Sequence, residues 1–330
     1  VIGSRVRLAR NLSDVPFPQI ADDEQKGYVI KEAKRALLQA KSALGDLEFI
    51  PMAEVSPLER QLLVEKHLIS PAHTQQVKHK AVILRDDEAV SIMVNEEDHF
   101  RIQALFPGLA PFEAWELCSR VDDAFDEVLH FAYGDRFGYL TACPTNVGTG
   151  MRASVMMHLP ALTMTDQIRK MISAVGKFGL AVRGIYGEGT EVLGNIYQLS
   201  NQITLGHSEE EIIQHLYKVT QQVLEHERAA RERILAKDRL QLEDRIYRSY
   251  GILANARMIA TQEAMQRLSD VRLGIDLGIV TGIEPRILQE LMVMIRPAHL
   301  QKLMGQELDA PARDEKRAAL IRERLRGQGR

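Results

Sequence analysis

Cysteine is scarce in this sequence. Its 330 residues include two, Cys118 and Cys143, too few for a disulfide framework or a thiolate metal cage, and no Cys/His spacing suggests zinc. That usage points to a reducing compartment. Aromatic residues make up 5% of the chain, with one tryptophan, so the interleaving of aromatic and basic side chains found in nucleic-acid binders is sparse. No run approaches the ~18 apolar residues of a membrane span. Val1 opens no signal peptide and no initiator methionine precedes it; the expectation is a trimmed, cytoplasmic chain. Familiar phosphate motifs are missing too. There is no P-loop, no Gly-x-Gly-x-x-Gly after a strand, no His-Arg-Asp or Asp-Phe-Gly, and no serine-hydrolase elbow.

What is present suffices for a large core, with 45% hydrophobic and 26% charged residues, and the length suggests two domains. Formal charges of +42 and −45 nearly cancel, but they are distributed unevenly. From Arg228 onward 20 basic residues face 14 acidic ones (+6), and 17 of the 29 arginines lie there; the first 227 residues carry 22 against 31 (−9). Such a tail reads either as helical faces laced with i,i+4 ion pairs or as a surface for phosphate-bearing ligands.

The first two-thirds mixes strand and helix signals. Ala81–Leu84 and Val90–Val94 flank Arg85-Asp86-Asp87-Glu88 as a hairpin. Gly138–Cys143, Gly179–Arg183 and Asn195–Leu199 read as further strands. Ser56-Pro57-Leu58-Glu59 opens one helix, and residues 166–175 carry apolar side chains at helical spacing. Near Ser208, a capping box with Glu211 opens a long helical pattern. Almost everything beyond it reads as helix, including 239–258, 262–268 and 285–295. The boundary is set at 210/211, between a mixed catalytic domain, 1–210, and a helical domain, 211–330. Cys118 beside Trp115, and Met292 and Met294 beside Leu288 and Leu291, read as packing.

Four segments are too polar and glycine-rich for plain structure: Gly3-Ser-Arg5-Val-Arg7-Leu-Ala-Arg10, Asn95-Glu96-Glu97-Asp98-His99-Phe100-Arg101, Cys143-Pro-Thr-Asn-Val-Gly-Thr-Gly-Met-Arg152 and Arg183-Gly-Ile-Tyr-Gly-Glu188-Gly-Thr-Glu191. Alternation places Arg5 and Arg7 on one side of an extended segment. Arginines at several strand ends suit phosphoryl transfer, where catalysis is largely cationic clamping of equatorial oxygens. The carboxylates would repel ATP unless the acceptor is itself a cation. A guanidinium is matched by carboxylates in a fork, and its pKa above ~12 calls for a nearby glutamate as base.

These motifs resemble the signatures of the phosphagen (guanidino) kinases, in the right order over roughly residues 1–210. The resemblance implies an α+β fold, with an antiparallel sheet flanked by helices in the catalytic domain. It implies that Arg5, Arg7, Arg101, Arg152 and Arg183 hold the phosphates of ATP. Ser4, Val6, His67, Ala153, Ser154, Val155, Met156, Gly184, Ile185, Tyr186, Gly187 and Glu188 would complete the nucleotide site. Glu97 and Glu188 would grip and deprotonate the guanidinium, and Cys143 would be the reactive cysteine. Mg2+ would be held mainly by the nucleotide's phosphates, with no dedicated protein site.

Only Val1-Ile2-Gly3 precede the first motif, so the small helical domain of phosphagen kinases is expected to be absent. A helical C-terminal domain stands in its place, and Gly189 departs from that family's usual histidine. This architecture resembles the bacterial protein-arginine kinases. The resemblance implies protein substrates with exposed arginines, proteolysis machinery and a transcriptional repressor among the partners, and a homodimer, with neither nucleic acid nor membrane bound directly. In Arg313-Asp314-Glu315-Lys316-Arg317-Ala318 it implies an allosteric phosphoarginine pocket of Arg313, Asp314, Arg317 and Ala318; spacing alone reads as a solvated helical face. Two alternatives stay open: a kinase of free arginine or another small guanidino compound, and a non-catalytic phosphoarginine-reading adaptor.

Overall fold

In the computed structural model, residues 1–184 and 192–326 are described. The chain begins with β1 (Gly3–Arg10), α1 (Asp23–Leu44), β2 (Leu47–Pro51), α2 (Pro57–Glu65), β3 (Ala81–Arg85), β4 (Val90–Val94) and β5 (Phe100–Pro107). It continues through α3 (Pro111–Asp126), β6 (Tyr133–Gly134), β7 (Gly138–Tyr139), β8 (Met151–His158), α4 (Pro160–Met164), α5 (Ile168–Gly176), β9 (Leu180–Arg183) and β10 (Ile196–Asn201). After these, among the described residues, come only helices: α6 (Glu209–Lys237), α7 (Arg239–Asn255), α8 (Thr261–Asp276), α9 (Pro285–Met294), α10 (Pro297–Met304) and α11 (Ala310–Arg326).

The architecture is α+β, an eight-stranded sheet in the order β2-β3-β4-β5-β1-β8-β10-β9 followed by the helical region. Neighbours from β2 to β8 pair antiparallel. The expected hairpin is β3–β4. The expected strand at 138–143 is only the two residues of β7. Leu140 N still bonds Ala132 O in the register of the β6–β7 pair, but beyond it the backbone leaves the ladder and Ala142 N donates to Asp98 Oδ1.

Alternation gives the central strands two unlike faces. Val6, Leu8, Ile102 and Ala104 are fully buried beneath α3, which packs across β1 and β5, and Ala153 and Val155 of β8 are fully buried on the same face of the sheet. The Cys118 thiol of α3 meets the carbonyls of Val6 and Ile102 at 3.8 and 3.7 Å, so it is a packing residue. A second core of Met52, Val64, Ile69, Val82 and Met93 lies under α2 and the β3–β4 hairpin.

Two compact units emerge, and neither is a single stretch of chain. One comprises Val1–Met157, Ala174–Val182 and Gln198–Thr220; the other comprises His158–Ser173, Arg183–Tyr197 and Gln221–Arg330. The 210/211 boundary read from composition falls inside the last segment of the first unit. Composition changes there, but the backbone is in the opening turns of the 29-residue helix α6. That helix starts as read: Ser208 Oγ accepts from Glu211 N, and Glu211 Oε2 accepts from Ser208 N.

In the second unit Leu242, Ile246, Leu273 and Val280 form the core between α7 and α8. Glu227, 2% exposed, accepts from Ala161 N and Leu162 N at the start of α4 and pairs with Arg231. Arg239–Glu243, Arg267–Glu263, Arg272–Asp276 and Arg286–Glu290 are further i,i+4 pairs. The plainer reading of the arginine-rich tail accounts for these. Among the described residues no helix is long and apolar enough to cross a membrane.

Candidate active site

Register assembles the arginines. Across β1, Arg7 lies opposite Gln103 of β5 and Arg152 of β8, Arg5 lies opposite Leu105 and Ser154, and Ala9 lies opposite Arg101. Directly paired residues share a face. Arg5, Arg7, Arg101 and Arg152 therefore stand together on the face that α3 does not cover. Burial and repulsion from Arg101 and Arg152 lower Arg5 to about 10. Burial, with Arg5, Arg101 and Arg152 around it, holds Arg7 well below the usual guanidinium value, against a counter-pull from Glu96. A face that penalises its own cations is complementary to a polyanion. Arg5 NH2 reaches Gln198 Oε1 at 3.3 Å, while its buried Nε has no hydrogen-bond partner among the described residues. These features fit a nucleotide's phosphates.

Not every expected nucleotide residue faces that way. The side chains of Ser4, Val6, Ala153 and Val155 point to the helix-covered face by the same alternation. Ser4 is 2% exposed; its Oγ donates to Gly108 O and accepts from Ala110 N. Ser154 and Met156 lie on the arginine face, opposite Arg5 and Gly3. His67 follows α2 with a positive φ of 62°. Gln103 Nε2, on the arginine face, donates to the carbonyls of His67 and Leu68, both at 2.9 Å, and so fastens that loop. Arg183 ends β9 and Gly184 follows it. Ile185, Tyr186, Gly187 and Glu188 lie outside the described residues.

The carboxylates cluster between β4 and β5. Glu97 Oε2 and Glu96 Oε2 each take a nitrogen of Arg101 at 2.7 Å. The Glu97 side chain stays 42% exposed and that of Glu96 only 5%, so Glu97 alone can offer its carboxylate to an incoming group. Burial opposes ionisation of Glu96, but Arg101, Ser70 Oγ at 2.6 Å and the Glu97 N–H together keep it below the usual carboxylate range. Asp98 is fully buried, and burial raises it. Its Oδ1 accepts from Asn11 Nδ2 and from Ala142 N, both at 2.7 Å, and thus fixes the residue before Cys143. Cys143 is half-buried, its Sγ 3.0 Å from Thr145 Oγ1. The sequence presents Glu96 and Asp98 as part of an acidic run; that one orients Arg101 and the other the cysteine loop is a tertiary fact. Among the described residues no group of three or more His, Cys, Asp or Glu side chains converges as a metal cage would.

His99 latches the loop that follows β1. Its Nδ1 accepts from Leu12 N, so Nε2 carries the proton donated to Pro16 O, both at 3.0 Å. Burial pushes His99 down to about 4, and His73 likewise to about 4. An unfolded imidazole protonates near ~6.5, so this stability is present above that pH and is lost as pH falls toward 4, by up to about 1.4 kcal/mol per unit for each group. Urea unfolding at pH 7 and pH 5 should show the loss, and His99→Gln should lower its slope by one proton; equal slopes would contradict the latch.

In the second unit, Arg313 NH1 donates to Leu308 O at 2.8 Å. Arg317 is 1% exposed and donates to Ile295 O and Ile259 O, both at 2.8 Å, and to Asp314. Ala318 is buried and Asp314 about one-third exposed. The Arg317 guanidinium thus ties two backbone carbonyls to the carboxylate of Asp314, a role that i,i+4 spacing does not reveal.

Comparison with known proteins gives this geometry a lineage. Residues 28–230 match the family "ATP:guanido phosphotransferase, C-terminal catalytic domain", and residues 239–329 match "Protein-arginine kinase McsB C-terminal domain". Proteins named protein-arginine kinase from Halothermothrix orenii and Brevibacillus brevis are each 54% identical, over 98% and 99% of this chain and 93% and 92% of theirs. That of Moorella thermoacetica is 54% identical over 99% of this chain and 94% of its own. Among solved structures, lombricine kinase is 25% identical with a TM-score of 0.62, covering 69% of this chain and 66% of its own. The duplicated taurocyamine kinase of Schistosoma mansoni, 26% identical with a TM-score of 0.61, matches 69% of this chain over 32% of its own length. The chain belongs to the ATP:guanido phosphotransferase family and is a phosphotransferase.

Proposed function

We propose that the chain transfers the γ-phosphoryl group of ATP to the guanidinium of arginine side chains in proteins. One juxtaposition carries this reading: four arginines share a single sheet face, and Arg101 among them is gripped by Glu96 and by the accessible carboxylate of Glu97. Cations for the donor and a carboxylate for a cationic acceptor meet at one residue. The name protein-arginine kinase, borne by relatives that match nearly the whole chain, supports a protein as acceptor.

In this reading Arg5, Arg7, Arg101, Arg152 and Arg183 clamp the phosphates, and Glu97 with Glu188 orients the acceptor. A guanidinium nitrogen forms the N–P bond as the bond from phosphorus to the β–γ bridging oxygen breaks, its proton passes to a carboxylate, and ADP leaves. Cys143 assists from the adjoining loop. The arginine face would itself repel a bare cation, so Mg2+ would be held by the nucleotide's phosphates, where it would supply neutralisation of the charge that develops during transfer.

The Arg313–Ala318 segment is proposed to bind phosphoarginine as an allosteric signal. Arg317 keeps the frame, Ala318 packs beneath, and Arg313 with Asp314 takes the phosphoryl and guanidinium ends. Arg313→Ala should then flatten stimulation by added phosphoarginine while ATP binding is retained; unchanged activation curves would sink the pocket. Cytoplasmic location, a homodimer, marking of substrates for proteolysis and a repressor among those substrates rest on family resemblance alone.

The test of the acceptor is coupled ADP release with two substrates in parallel, a loosely folded arginine-containing protein and free arginine. Turnover on the protein with free arginine inert is expected. Turnover on free arginine alone would move the enzyme to small guanidino substrates, and none on either would leave the adaptor reading.

A further inference from the structure

The first arginine motif ends on a residue that the arginine face cannot use. Arg10 lies three positions after Arg7, so alternation turns it to the opposite, helix-covered face, where it is 1% exposed. A guanidinium taken wholly out of water is unfavourable unless its donors are met, and an apolar side chain would fill the same space without that penalty. Here the donors are met. Arg10 Nε and NH2 reach Asp122 Oδ2 of α3 at 3.0 and 2.6 Å, and NH1 reaches the carbonyls of Ala9 and Thr149, both at 3.0 Å. The guanidinium carbon stands 3.4 Å from the centroid of the Tyr139 ring. Glu209, whose Oε2 accepts from Trp115 Nε1 at 2.7 Å, lies 3.8 Å from the same cation.

Two of these contacts bracket one piece of chain. Tyr139 and Gly148 exchange backbone hydrogen bonds at 2.8 and 3.3 Å, closing an excursion of residues 140–147 with Cys143 in it. Arg10 stacks on the residue that enters this excursion and bonds the carbonyl of Thr149 just after it leaves. Next comes Gly150, φ +65°, where an added Cβ would stand 2.6 Å from Arg10 Nη1 and 2.7 Å from Ala9 O. Arg152 follows two residues later. The excursion therefore has one buried cation at its root, tied through Asp122 to α3.

We propose that Arg10, held by Asp122, is a positioning residue for phosphoryl transfer. It fixes the root of the 140–147 excursion and thereby the stations of Cys143 and Arg152. The roles of those two residues rest on the proposed function, but their placement does not.

The test uses the full-length chain and two readouts. Arg10→Lys keeps the charge and loses the fork. Expected are a fall in kcat of about 10- to 100-fold, as for a misplaced reacting group, and a KM for ATP within about threefold. Iodoacetamide labelling followed by peptide mass spectrometry reads Cys143 specifically, because Cys118 is fully buried; its labelling rate should shift at least about threefold as the thiol's surroundings change. Where Arg10→Lys does not fold, Asp122→Asn, which keeps the shape and removes the counter-charge, carries both readouts. A folded variant with wild-type kcat overturns the proposal, whatever its labelling rate. An inactive wild type would defeat the proposed function instead, and the labelling shift would still report on the root of the excursion.

Discussion

Replacing Glu97 by glutamine should lower kcat by about 10²- to 10⁴-fold, the usual contribution of a positioned acid or base, with nucleotide affinity nearly unchanged. The amide keeps the shape and one acceptor oxygen toward Arg101 but cannot take the proton. Arg101 keeps its second partner, since Glu96 is paired with it at 2.7 Å and is itself tied to Ser70. The separation of effects comes from this arrangement: Glu96 holds the phosphate-facing arginine, and Glu97 meets the acceptor. Steady-state kinetics alongside calorimetric titration with ADP would check it. A loss of nucleotide binding equal to the loss of kcat would show that Glu97 acts only by holding Arg101.

Arg7→Ala should have the second large effect, and with two signs. Losing a charged contact to phosphate should weaken nucleotide binding about 10- to 100-fold, as expected for a charge-assisted bond of roughly 1.5–3 kcal/mol. The same substitution removes a buried cation from a group whose members depress one another, Arg5 to about 10 by burial and by its arginine neighbours. Without nucleotide the variant should therefore melt no lower than the wild type, and added nucleotide should raise its melting temperature less. Thermal scans with and without ADP give both numbers. A variant that melts well below the wild type while binding nucleotide normally would mean that Arg7 is structural.

Much of the site could be read in the sequence because its carriers are local motifs. Period-2 spacing put Arg5 and Arg7 on one face, and the register of β1 with β5 and β8 adds Arg101 and Arg152 to it. The capping residues at Ser56 and Ser208 were equally plain, since a cap is a contact over three residues. The helices α1 and α3 are additions to the elements expected from the sequence. A signal for α1 exists in the capping box of Asp22 with Gln25 and in Val29, Leu37 and Leu44, though alanines (Ala33, Ala36, Ala40) make up half of its buried face among the described residues, whereas the N-cap of α3 is Ala110, with no side-chain bond to announce it. Gly138–Cys143 reads as a strand because its residues favour one, yet past Leu140 it leaves its hairpin partner, and Asp98, distant in the chain, takes the Ala142 donor. Roles that depend on such distant partners were out of reach. Arg10, Arg317 and Asp98 look like ordinary members of charged motifs, and only their enclosure distinguishes them. The division of the chain into units also lay beyond composition, because α6 runs without a break through the expected boundary.

The most direct test of the central claim is mass spectrometry after incubation with Mg-ATP, a loosely folded protein and free arginine together, handled without acid because the P–N bond is acid-labile. The account predicts phosphate on arginine side chains of the protein, little on the free amino acid, and almost none on either with Glu97→Gln. Phosphate confined to free arginine, or protein phosphorylation that persists in Glu97→Gln, would contradict it.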